Sequence, residues 1–184
     1  KLVPRNSTIV DVGCGYGQMS FMLGLLSPDR KVLGVDYDNE KIRIAQHSFL
    51  SKKTNTRFEC ADMRTLELPN VDVILFNDSL HYVDIESQKQ ILIRAFEALN
   101  DGGMVLVKDG DSSIEEGHNK IEQTEVWSTR IIKFNKTSES LCFVSSDWMR
   151  TIAAENGMNI KVRRCDNDSS ETLYILTKIQ DEKV

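Results

Sequence analysis

Residues 8–20 read TIVDVGCGYGQMS, an apolar run that ends in glycines at every second position and then turns amphipathic. Such a run is a strand that passes through a tight glycine loop into a helix N-terminus. Gly13, Gly15 and Gly17 carry no Cβ, so the backbone turns sharply there and a ligand comes close to its N–H groups. A strand, a loop and a helix in that order point to an α/β unit with a nucleotide-like ligand at the loop.

The spacing narrows the ligand. The dinucleotide fingerprint is GxGxxG/A, whereas here the third glycine arrives one residue early and Gln18 holds the expected place, which counts against a nicotinamide or flavin cofactor. A second apolar strand, KVLGVDYD, ends in Asp36 about 20 residues after the glycines, where a carboxylate accepts from both hydroxyls of an unphosphorylated ribose. A third, RFECADM, ends in Asp62 and Met63, and a fourth, VDVILFN, ends in Asn77 and runs into DSLHYV. Taken singly, the glycines make a turn and Asp36 or Asp62 caps a helix. Independent turns rarely fall at every strand end of one crevice.

The rest of the chain alternates strand and helix. Met19, Met22, Leu23 and Leu26 give the first helix a core-facing stripe, and Ser27-Pro28-Asp29 stops it. A second helix is expected from about Asn39 to Lys53, capped by Asp38, with Ile42, Ala45 and Phe49 inward. A third runs near Ile85 to Leu99 with Leu92, Ala95, Phe96 and Leu99 inward, and Asn100 to Gly103 leads into the strand GMVLVKD. A last helix near Asp147 to Asn156 precedes NIKVRRCD and TLYILTKI, which a short polar turn forces to pair antiparallel. Near-continuous apolar strands mean a mostly parallel sheet covered on both faces.

At 184 residues the chain is read as a single domain, 1–184, with a sizeable core. The net charge of −5 leaves no basic footprint for phosphate backbones, so nucleic acid is excluded as a partner. No apolar stretch of about 18 residues exists to span a membrane. Cys14, Cys60, Cys142 and Cys165 show no CxxC pair and His47, His81 and His118 no ligand spacing, so no metal site is expected and a reducing, cytoplasmic location follows. The start at Lys1, just before the first strand, reads as a domain of a longer polypeptide.

The motifs DVGCGYG, GVDYD, CADM and FNDSLHYV, in that order, resemble the class I S-adenosylmethionine (AdoMet) methyltransferases over Ile9 to about Ile179, apart from a stretch after Lys108. The resemblance implies a doubly wound, seven-stranded Rossmann-like α/β sheet of order 3-2-1-4-5-7-6 with one antiparallel strand. It places the loop residues Gly13, Cys14, Gly15 and Gly17 against the methionine and ribose of AdoMet, with Asp36 on the ribose and Tyr37 also in the cofactor set. It further implies Asp62 near the adenine amino group, Met63 on the ring, Asn77 near the sulfonium and Asp11 near the methionine amino group. The stretches DGDSSIEEGH and TEVWSTRIIKFNKT are more loosely similar to methyltransferase domains fused to transporter and acyltransferase modules in bacteria.

Residues 110–144 are too long for a plain link and are expected to be a substrate lid over the strand ends, with a helix from Ile121 to Phe134 that carries Trp127. Methyl transfer demands alignment and dryness more than reactive groups, but a hydroxyl acceptor needs a base. His81, beside Tyr82, and His118 are the candidates, while Asp109 and Asp111 either form a turn or position the acceptor. The expected function is AdoMet-dependent methyl transfer to a small-molecule or lipid-like acceptor. The rivals are a non-catalytic AdoMet-binding module and a nicotinamide-dependent enzyme.

Overall fold

The computed structural model describes residues 2–114, 141–166 and 169–178. Seven strands form one sheet: β1 (Thr8–Val12), β2 (Lys31–Asp36), β3 (Thr56–Cys60), β4 (Val71–Asn77), β5 (Leu99–Gly110), β6 (Met158–Arg164) and β7 (Glu171–Lys178). Their order is β3-β2-β1-β4-β5-β7-β6, as the resemblance implied, with β7 antiparallel to both of its neighbours. Helices α1 (Gln18–Leu26), α2 (Asn39–His47), α3 (Ile85–Glu97) and α4 (Ser146–Glu155) join them.

Alternation along the strands builds the core. Val10 and Val12 of β1, Ile74 and Phe76 of β4 and Val105 and Val107 of β5 face α3 and α4, which supply Ile91, Leu92, Ala95, Met149, Ile152 and Ala153. Ile9, Val73, Leu75 and Leu106 face the other way, with Leu23 of α1. Parallel register brings the strand ends into one row. Val12 pairs with both Val35 and Phe76, Asp36 with Cys60, and Asn77 with Lys108, so the residues just beyond them share one sheet edge.

The helices depart from the sequence expectation in two places. In α1, Leu23 is buried, but Met22 is 56% and Leu26 73% exposed, and the buried side also holds Ser20, Phe21 and Gly24. The cause is close approach: a Cβ on Gly24 would lie 2.8 Å from Thr56 Oγ1, and Ser20 bonds Asp11 beneath it. Met19 packs beside Leu23 as expected, while Ser20, Phe21 and Gly24 take the places against the sheet that Met22 and Leu26 were expected to hold. In α2, Asp38 caps the start as expected, accepting from the N–H groups of Glu40 and Lys41. The helix nevertheless stops at His47, where Ser48 turns extended and bonds Leu50 N–H to start a short 3₁₀ turn, leaving Phe49 70% exposed. Likewise β5 begins at Leu99, with a register shift opposite Val71 and Val73 that absorbs Asn100 to Gly103 into the strand.

The orientation of α1 is testable by urea unfolding. Leu23→Ala is expected to cost about 2 to 4 kcal/mol and Leu26→Lys to change stability by no more than about 0.5 kcal/mol.

Candidate functional site at the strand ends

The glycine loop leaves β1 and is tied to β2. Gly13 and Cys14 donate their N–H groups to Val35 O at 2.8 and 3.0 Å, and Gly15 donates to Asp36 Oδ2 at 2.8 Å. These N–H groups are therefore engaged within the protein, and what the loop offers a ligand is clearance. Gly15 sits at φ +55° and a Cβ there would meet nothing within 4 Å, while Gly17, at φ +78°, lies so close to Phe58 that a Cβ would come within 2.5 Å of its ring. Gly15 borders open space and Gly17 locks α1 against β3.

Asp36 is nearly buried. Its Oδ1 accepts from Asp38 N–H at 2.9 Å while Oδ2 holds Gly15, and each oxygen keeps a further lone pair. Tyr37 beside it and Tyr16 of the loop are both exposed, and Lys41 Nζ stands 6.0 Å from the Tyr16 ring. Burial, with the Asp11 and Asp36 charges, pushes the Cys14 thiol far above its usual range, so it packs and does not react.

Asp62 and Met63 sit on a turn after β3. The Arg64 guanidinium forks onto both Asp62 oxygens at 2.7 to 3.1 Å, and this hydrogen bonding holds the Asp62 carboxyl below its ordinary range. The Met63 methyl reaches to 3.7 Å of where a Gly13 Cβ would lie, so the turn touches the glycine loop. After β4, Asn77 donates to Asp78 Oδ2, and Asp78 takes a left-handed φ of 52°, pinned by Lys108. Ser79 Oγ then donates to Val12 O at 2.9 Å, fastening this loop to the end of β1.

Two residues further on, His81 is buried with its Nδ1 2.6 Å from Asp109 Oδ1. Asp109 also accepts from the N–H groups of His81 and Gly110. An acceptor surrounded by donors puts the proton on Nδ1 and leaves Nε2 as the free lone pair. Thr56 Oγ1 is the one fully enclosed side-chain polar atom without a partner among the described residues, so Nε2 is not sealed away. Tyr82 and Phe143 flank the ring at 4.2 and 4.7 Å. Asp109 thus neither makes the turn nor faces a ligand alone: it orients His81. His81 follows β4 and Asp109 lies near the end of the adjacent strand β5, so the pairing of the two strands is what brings them together. Asp111 takes the turn role, accepting from Ser113 and Ser146. His118 and Trp127, with residues 115–140 of the expected lid, lie outside the described residues, and His47 bonds Arg43 O on its own helix.

Asp11 shares the Ile9 face of β1, is 1% exposed and accepts from Ser20 Oγ at 2.5 Å. It ties β1 to α1. Burial pushes its carboxyl up to about 6, against the opposing Ser20 bond.

A mostly parallel sheet with a glycine loop and an acidic residue at the ends of β1 and β2 defines a nucleotide-binding α/β domain of Rossmann type. The family model described as "Methyltransferase domain" matches residues 9–103. The chain belongs to this family of AdoMet-dependent methyltransferases. Malonyl-[acyl-carrier protein] O-methyltransferase of Bacillus cereus is 30% identical over 169 residues, which cover 91% of this chain and 58% of that protein. Carboxy-S-adenosyl-L-methionine synthase of a Shewanella species is 21% identical over 113 residues, covering 59% of this chain and 46% of that protein. The chain thus spans only part of the length of these relatives. Among solved structures, magnesium protoporphyrin IX methyltransferase of Synechocystis with bound S-adenosylhomocysteine shares the fold at a TM-score of 0.71 and 14% identity, covering 93% of this chain and 74% of that one.

The residues fit AdoMet: both Asp36 oxygens keep acceptor capacity, and Gly15 borders open space beside them.

The buried Asp11 carboxyl has a pH signature. With its folded value raised, the stability it contributes is present below about pH 4 and lost as pH rises through about 6. Asp11→Asn cannot charge, so its unfolding free energy should gain on the wild type by on the order of 1 to 3 kcal/mol between pH 4 and pH 7. A difference that does not change with pH would refute this.

Proposed function

We propose that this domain transfers the methyl group of AdoMet in line to a small-molecule or lipid-like acceptor, with His81 as general base. One observation carries the reading: Ser79 ties the loop that bears His81 to the end of β1, so the imidazole that Asp109 of β5 orients and the glycine loop are parts of one assembly. Asp36 binds the ribose hydroxyls and the Gly13–Gly17 loop lies along the methionine and ribose. Asp62 takes the adenine amino group, with Met63 on the ring and Tyr37 alongside. Asn77 lies toward the sulfonium side and Asp11 toward the methionine amino group.

The cofactor supplies an electrophilic methyl on a sulfonium. What the protein must add is alignment of the acceptor, exclusion of water and a place for the acceptor's proton. His81 Nε2 is that place, and Asp109 stabilises the imidazolium that forms. A carboxylate acceptor, such as the name of the Bacillus cereus relative describes, needs no base; the His81–Asp109 pair favours an acceptor that must lose a proton. Residues 110–144 are proposed to cover the acceptor side. Their described ends support this: Phe143 flanks His81, and Cys142 N–H donates to His81 O at 2.8 Å.

Calorimetry and turnover test the proposal together. Asp36→Ala is expected to weaken AdoMet binding by about 1 to 3 kcal/mol, through loss of a charge-assisted acceptor; unchanged affinity would sink the ribose assignment. His81→Ala should leave S-adenosylhomocysteine affinity within about twofold yet lower kcat by about 100-fold or more on an acceptor found by methyl turnover with cell extract. Full activity in that variant would remove the base.

A further inference from the structure

Between β3 and β4 the chain runs through residues 61–70 as turn and loop, without a helix to stiffen it. That segment nevertheless carries Asp62 and Met63, whose placement the cofactor site requires. Its fold begins locally: Thr65 N–H donates to Asp62 O at 3.0 Å and Arg64 N–H to Asp62 Oδ1 at 2.9 Å, closing a turn around the aspartate. A turn closed on itself still needs an anchor. On one side Ala61 N–H donates to Asp36 O at 3.0 Å, and behind it Leu66 and Leu68 rest on the core. On the other, Arg94 in the last turn of α3 sends Nη2 to Met63 O at 3.1 Å and to Arg64 O at 2.9 Å. One cationic donor thus bridges two consecutive carbonyls of the turn, and these are the carbonyls directly after Asp62 and Met63.

We propose that Arg94 is a positioning residue for cofactor recognition: by bridging Met63 O and Arg64 O it holds the Asp62–Met63 turn in the place from which Asp62 reads the adenine amino group. This rests on the assignment of Asp62 to the adenine edge. Arg94 touches no ligand itself. Its effect runs through α3, whose N-terminal end follows the loop that bears His81, so one helix braces both the cofactor turn and the base loop. Guanidinium suits the task because it stays charged and makes charge-assisted bonds to neutral carbonyls, and the two N–H groups of Nη2 are held in one plane, one for each carbonyl.

The test uses two ligands that differ only at the adenine edge, S-adenosylhomocysteine and S-inosylhomocysteine, in which the 6-amino donor is replaced by a 6-oxo acceptor. Calorimetry on the wild type should show the adenosyl ligand favoured by about tenfold or more, since a carboxylate facing the 6-oxo group gains nothing and repels it. Asp62→Asn should abolish most of that preference. Arg94→Ala should weaken the adenosyl ligand by about fivefold or more and the inosyl ligand, which keeps only the Met63 packing to lose, by clearly less, so that the preference collapses; Arg94→Lys should fall between, and it serves if the alanine variant does not fold. Equal weakening of both ligands, or an unchanged ratio in both variants, would overturn the role of Arg94 while leaving Asp62 in place. A wild type without preference, or an Asp62→Asn variant that keeps it, would instead overturn the adenine assignment and the role of Arg94 with it.

Discussion

The bond from Gly15 N–H to Asp36 Oδ2 is the constraint on which the cofactor site depends. It joins the loop after β1 to the end of β2, and it is possible only because parallel register sets Val12 beside Val35. A carboxylate fixed by two backbone N–H groups needs little reorganisation to accept the ribose hydroxyls we propose for it, and such preorganisation gains affinity without further contacts. The loop is shaped by the same bonds. With Gly13, Cys14 and Gly15 bonded to Val35 and Asp36, the glycines serve clearance and packing rather than a ring of free donors.

Polar groups enclosed along the sheet edge are each matched to a partner. Asp11 has Ser20, Asp109 has His81, and Asp111 has Ser113 and Ser146. Leaving any of them alone would cost the desolvation of a carboxylate, so each pair also specifies how its elements meet. Asp111 draws Ser113 and Ser146 to one point, and Ser112 N–H donates to Val144 O, so the two described ends of the 110–144 segment are held together beside His81.

Strand identity, the order of the motifs at the strand ends and the cap at Asp38 could be read from the chain because they depend on local pattern and on chemistry within a few residues. The rotation of α1 could not. Its sequence is apolar on nearly every side, so a stripe of Met22 and Leu26 looked as good as the one used, and Gly24 meeting Thr54 and Thr56 settled the matter. The end of α2 shows the same limit: Ser48 breaks the helix through its own side-chain bond, a choice that periodicity does not register.

The sequence by itself determined the class of sheet, the glycine loop and the acidic residues at the ends of β2 and β3, since each is written in consecutive residues whose backbone and chemistry admit few alternatives. Tertiary structure alone decided which of these groups meet. His81 and Asp109 lie on separate strand ends, and Arg94 reaches Met63 and Arg64 from another helix. Such contacts depend on the register of neighbouring strands and the rotation of helices, which the packing of the whole core sets and no local stretch of chain encodes.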